Sequence, residues 1–272
     1  MKKCIYALLL CIVLPDSVFA QISTALRQER LAFIAATRTI IIDSLKMKPA
    51  RDFYTQHIEQ DSLYNYVYVS SPDSVHKISP GNFYYFGFDA DRARKKADSL
   101  MQTGNDVMLY QTAGTSASVI TNHLLLYDPY SIAFIMLHEA MHLHLVHAGY
   151  RVPYAYEESI GDVVGNAYLK KCMPEANRKS LKRFVKCNEK VYRVINRCLA
   201  GKKSKLRTEK RIYKITGKFG TLFQQERYRY PVNNAYLLRF RDYTQHFFKL
   251  KKKFRKHDTL KNSLYASLKV VQ

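Results

Sequence analysis

Apolar residues recur with the helical period at both ends of the chain and crowd into short β-like runs between them. Over residues 21–46 the spacing of Leu26, Leu31, Phe33, Ile34 and Ile40 to Ile42 predicts one long helix. An amphipathic piece over 51–61 is expected to continue it past Pro49. Residues 64–70 (YNYVYVS) are dense in aromatic and β-branched side chains, a strand signal. Pro72, Pro80 and Gly81 punctuate a loop, and 82–88 (NFYYFGF) reads as a second strand. A charged helix over 89–102 turns Ala93, Ala97, Leu100 and Met101 to one side. Residues 106–110 (DVMLY) form a third short strand, followed by a small-residue segment at 111–116.

The next helix is bounded by its own punctuation. Asp128 is suited to the N-cap, Pro129 to the first helical position and Gly149 to the far end. Ile132, Phe134, Ile135, Met136 and Leu137 make it too apolar to lie on the surface. Inside it stands His138-Glu139-Ala140-Met141-His142, an HExxH sequence. Histidines four apart stand one turn above each other on one face and can share a metal ion, of which Zn²⁺ is the usual occupant. Glu139, offset around the helix, is placed to act as the base on a metal-activated water.

A turn at 149–152 and Pro153 lead into a second helix. At a rise of about 1.5 Å per residue, Glu158 on that helix returns level with His142. It is the expected third ligand. Asp162, one turn on, can accept the remaining N–H of a ligand histidine. Three protein ligands with one open position compose a catalytic zinc site rather than a structural one.

Beyond residue 171 the chain is helical and basic, with Lys and Arg interleaved with Phe, Tyr, Val and Ile over 178–199 and 203–215. Another helix is expected to run from 232 towards Phe248. The densest charge run is 249–256 (KLKKKFRK), and a last helix covers 259–270. With no internal repeat or low-complexity tract, the pattern implies one mainly helical α+β domain over 21–272, its HExxH helix and glutamate-bearing helix lying beside a small β-sheet.

Charge adds a second theme. Lys and Arg total 44 against 22 Asp and Glu, which suits either an anionic polymer or surface as partner or a merely solvated basic face. Residues 1–20 have the form of a secretory leader: Lys2 and Lys3, an apolar run over 4–14, and a cleavage site near Ala20. That run is too short to span a bilayer, and no later segment is long and apolar enough to do so. The expected mature protein is secreted or periplasmic. It keeps Cys172, Cys187 and Cys198, of which at most two can pair, either 187 with 198 or 172 with 187.

Four stretches carry a resemblance to a known family: residues 84–100, 137–142, 156–159 and 233–243 (NNAYLLRFRDY). Through them the chain resembles the bacterial predicted aminopeptidases, HExxH zinc peptidases with a downstream glutamate as third ligand. The resemblance implies one Zn²⁺ held by His138, His142 and Glu158, a Glu139 base and a peptide substrate. It singles out Tyr243 as oxyanion donor, with Tyr236 as the alternative. Glu157 stands where the family has asparagine, and so becomes a candidate for the substrate ammonium; otherwise it lies on the outer helix face near Arg151 or Lys170. The basic segment 200–218 and the 111–116 segment depart from the family. Other metal-peptidase patterns fit less well, since Ala148 stands where the HExxHxxGxxH group needs its third histidine.

Two further readings compete with an exported zinc peptidase. One is a non-catalytic basic module for anionic polymers, and the other is a zinc-bearing pseudoenzyme.

Overall fold

The computed structural model describes residues 22–61, 63–76, 78, 83–115, 119–173, 178–256 and 259–268. The leader-like residues 1–20, Pro80, Gly81, Asn82, Ser116 and the end of the last predicted helix lie outside them. The fold is α+β and mainly helical, as the sequence pattern predicts. Among the described residues no helix is long and apolar enough to cross a membrane.

Helix α1 (Thr24–Thr39) starts on a Ser23 cap and passes into a π-helical turn at Ile40–Ser44. The amphipathic helix expected over 51–61 does not form. Phe53 and Tyr54 are buried in a turn, Tyr54 takes a left-handed backbone (φ 48°), and Arg38 draws off the Phe53 and Arg51 carbonyls. His57–Ile58 (β1) then pairs in parallel with Ile120–Thr121 (β5).

The larger sheet has the order β3-β2-β4, all antiparallel, with β2 (Tyr64–Ser70) paired along its whole length to β4 (Asp106–Thr112). Of the second predicted strand only Tyr84–Tyr85 (β3) pairs. Alternation gives the sheet two faces. Val67, with Val107 and Leu109, meets Ala93 and Ala97 of α2 (Ala90–Gln102). Tyr66, Tyr68 and Tyr110 line the opposite side, which faces the helical body.

After the single-turn helix α3 (Asn122–Leu125), helix α4 (Pro129–His147) runs through that body and is buried from Ser131 to His138 without a gap. Its Asp128 cap accepts from the Tyr130 and Ser131 amides, and Gly149 turns the chain at φ 75°. α5 (Tyr154–Tyr168) packs against it unusually closely. A Cβ on Gly161 would meet the His138 ring at 2.8 Å, and one on Gly165 would meet Phe134 at 2.8 Å.

α6 (Arg178–Leu199) and α7 (Lys205–Phe219) form a basic pair. α8 (Leu222–Tyr228), absent from the sequence expectations, follows on a Thr221/Gln224 capping box. The helix expected from 232 to 248 is two, α9 (Asn234–Thr244) and α10 (Phe247–Phe254). Ser159 and Asn196 take the carbonyls of the last turn of α9, which ends the helix there. α11 (Leu260–Leu268) closes the described chain. The lysine run lies on α10, seated by Phe247, Leu250 and Phe254 with Lys249 and Lys252 exposed. Cys172, Cys187 and Cys198 are all buried free thiols, so neither expected pairing occurs. Residues 187 and 198 share one helix, where eleven residues rise about 16 Å, far beyond disulfide reach.

Candidate metal centre

His138, His142 and Glu158 come together as predicted, with one ligand atom from each inside a 4.8 Å cluster. The two Nε2 atoms lie 2.9 Å apart. Glu158 approaches His138 Nε2 at 3.3 Å and His142 Nε2 at 3.8 Å. Ligands about 2.0–2.2 Å from a tetrahedral zinc stand roughly 3.3 Å from each other, so the spacing suits such an ion.

The surroundings of each imidazole fix which edge faces the gap. His138 Nδ1 sits 2.8 Å from Asp162 Oδ1, in ion-pair rather than in-line hydrogen-bond geometry. His142 Nδ1 is hydrogen-bonded to Glu157 Oε1 at 2.8 Å. Both rings are therefore engaged on the far side and turn Nε2 inward. Glu158 Oε2 is buried and has no hydrogen-bond partner. A buried carboxylate oxygen aimed at two inward imidazole nitrogens is a donor set suited to a cation. The residues fit a metal ion.

The titration directions agree. Burial pushes His138 down, but Asp162 and Glu158 outweigh it and raise its pKa to about 10. Burial pushes Glu158 up, yet His142 and His138 hold it well below the usual carboxylate range. Positive charge is favoured at the centre of the cluster. Glu139 is raised, first by burial, with the two histidines opposing.

Asp162 reaches beyond the histidine. Arg227 Nη2 donates to both its oxygens, at 3.1 and 2.9 Å, and the Tyr192 hydroxyl donates to Oδ2. The whole network is buried. Tyr154, the first residue of α5, hydrogen-bonds to Glu158. Arg227, Tyr192 and Tyr154 were not found by sequence reasoning. They come from three separate helices and share no local spacing.

A cleft of about 320 Å³ opens over the cluster, between the tyrosine face of the sheet and the helices. Glu139, Glu157 and Tyr243 line it, with Tyr66 and Tyr68 opposite. Glu157 lies beside the cluster on His142, not on the outer helix face with Arg151 or Lys170. Tyr243 stacks on His138 with ring centroids 5.9 Å apart. Tyr236, the alternative donor, is ruled out by position. It is fully buried, packs on Phe240, and its hydroxyl donates to the Tyr228 carbonyl.

The asparagines of the NNAYLLRFRDY segment explain how α9 is aimed. Asn233 caps the helix and donates to the Val107 carbonyl, while Asn234 donates to the Ser71 and Pro72 carbonyls. Pinned to β4 in this way, α9 sends Arg239 and Tyr243, one turn apart, into the cleft. Arg239 was also missed, although it falls on the apolar stripe of Tyr236, Phe240 and Tyr243, where a charge is itself a signal. Compared with known proteins, the chain matches no family model, no curated protein and no solved structure.

Proposed function

We propose that the chain is an exported zinc peptidase in which His138, His142 and Glu158 hold one zinc ion. The observation that carries this reading is the buried gap between the three ligand atoms, where Glu158 Oε2 has no hydrogen-bond partner and both imidazoles are already engaged on their far sides. When bound, the ion polarises a carbonyl and brings the pKa of water to about 7. Glu139 borders the cleft beside the gap, and its raised pKa suits a carboxyl that takes up a proton and returns it to the leaving amine. Tyr243 keeps its proton because burial raises its pKa well above 10, and it serves as hydrogen-bond donor to the developing oxyanion. Asp162 and Glu157 orient the two imidazoles. The leader-like residues 1–20 support action outside the cytoplasm. The lysines and arginines of α6, α7 and α10 form the outer faces of amphipathic helices, and the site geometry adds no observation in favour of an anionic-polymer partner.

Elemental analysis of the purified protein should find one zinc per chain, with His138→Ala losing it. Glu139→Gln should keep the zinc and lose about 10²–10⁴-fold in peptide hydrolysis. A parent protein that takes up no divalent metal would end this reading. A zinc-loaded parent inert on a broad peptide set would make the chain a pseudoenzyme.

A further inference from the structure

Arg239 is a buried cation, 2% exposed, in the wall of the cleft. Its guanidinium lies 3.5 Å from the Tyr110 ring centroid, with Phe240 and Tyr243 at 4.4 and 4.9 Å. Aromatic rings satisfy the faces of a guanidinium and leave its N–H edges unanswered. Nε and Nη1 have no hydrogen-bond partner, and among the described residues Arg239 enters no ion pair. The Tyr68 hydroxyl hydrogen-bonds to the guanidinium, but as a neutral group it supplies no balancing charge.

Arg227 shows what the missing element is. It too is ringed by aromatics, with Phe134, Phe223, Tyr228 and Tyr243 within 5.7 Å, but its edge rests on the Asp162 carboxylate. Of the acids lining the cleft, Glu157 is directed to His142 and Glu158 to both histidines, while Glu139, the third, forms no ion pair with Arg239 among the described residues. A desolvated guanidinium with unanswered N–H groups calls for an anion as its acceptor. The cleft is at the small end for a ligand site. Tyr243 touches both Arg239 and His138, so the guanidinium stands one ring away from the metal cluster.

We propose that Arg239 receives a carboxylate of the substrate, so that the cleft selects short peptides bearing a negative charge close to the scissile bond. This rests on the peptidase reading and specifies its substrate class. The carboxylate comes either from the C-terminus or from an acidic side chain, and the test separates them.

Binding is measured by calorimetry on protein stripped of metal with a chelator, so that no ion competes for the carboxylate. The probes are N-acetyl-Gly-Gly, its C-terminal amide, and the amidated peptides N-acetyl-Gly-Glu and N-acetyl-Gly-Gln. A free acid preferred over its amide by about tenfold or more identifies a C-terminal receptor. The same preference for Glu over Gln identifies a side-chain receptor. Either preference should vanish in Arg239→Gln and survive in part in Arg239→Lys, which keeps the charge without the fork. Equal binding of acids and amides by the parent overturns the proposal whatever the variants do, as does a preference that persists in a folded Arg239→Gln. Acid-selective binding by a zinc-loaded protein that is inert on a broad peptide set, free-amine peptides included, would keep the carboxylate site and remove the peptidase reading.

Discussion

The floor of the cleft, built by α4 and α5, and its wall, built by α9, each include a buried charged group with polar atoms that lack a hydrogen-bond partner, and the two groups are opposite in sign. On the floor it is a Glu158 carboxylate oxygen facing two imidazoles; on the wall it is the edge of Arg239. Elsewhere in the cleft charges are matched: the buried Asp162 lies against Arg227, and the partly exposed Glu157 against His142. A buried charged group is costly to leave with unanswered atoms, so such groups are where a ligand of opposite sign gains most. The floor calls for a cation and the wall for an anion. The proposed metal ion and peptide carboxylate would together answer both.

The largest test of this contrast is thermodynamic. Arg227→Gln strips the charge partner from a fully buried Asp162, and breaking such a pair costs about 3–5 kcal/mol. Arg239→Gln removes a cation with no anion, so stability in denaturant unfolding should stay level or rise. Equal losses in the two variants would mean that Arg239 is compensated after all, and the contrast would fall.

The two tyrosines of α9 sharpen it next. Tyr243→Phe should lower turnover by about 10²–10³-fold while zinc stays bound, the usual effect of deleting an oxyanion donor. Tyr236→Phe removes only a hydrogen bond to the Tyr228 carbonyl, costing about 1 kcal/mol of stability and no turnover. Unchanged turnover in Tyr243→Phe would transfer the role to Tyr66 or Tyr68 across the cleft.

The floor was far more legible in the sequence than the wall. Asp128, Pro129 and Gly149 bracket α4 by local rules, and the rise of two helices joined by a short turn was enough to bring Glu158 and Asp162 to the histidines. Those signals depend on spacing along one or two adjacent elements. Arg227 and Arg239 are two of 44 basic residues, and what distinguishes them is contact with distant rings and acids. Arg239 alone had a local cue, its place on an apolar stripe. The failed helix at 51–61 is similar in kind. Its amphipathic spacing lost to tertiary burial of Phe53 and Tyr54.

Gly161 and Gly165 carry a cue that periodicity could have offered, small residues four apart facing one neighbour. They separate metal binding from packing on the floor. Gly161→Ala puts a methyl 2.8 Å from His138 atoms, and should weaken zinc affinity by about 10–100-fold, as other disturbances of ligand orientation do. Gly165→Ala meets Phe134 instead and should lower the melting temperature without a comparable change in zinc affinity. A loss of zinc affinity in both would show that the helix separation, not the histidine orientation, is what the glycines protect.

The smallest expected effect comes from Glu157, and it bears on which end of the substrate is read. Its carboxylate orients His142 but is partly exposed, with a side-chain accessibility of 23%, unlike the sealed Asp162. In Glu157→Gln the amide oxygen can still accept from His142 Nδ1, so zinc affinity should weaken only by about tenfold, the low end for such partners. Because the carboxylate is already engaged, it is poorly placed to serve also as the receptor for a substrate ammonium. N-acetylated and free-amine peptides should then be cleaved at comparable rates by the parent, and Glu157→Gln should slow both alike. A strong free-amine preference that collapses in Glu157→Gln would restore the aminopeptidase reading and assign Glu157 to the ammonium. It would also leave the Arg239 carboxylate site intact, since the two groups line different walls and would grip opposite ends of one short peptide.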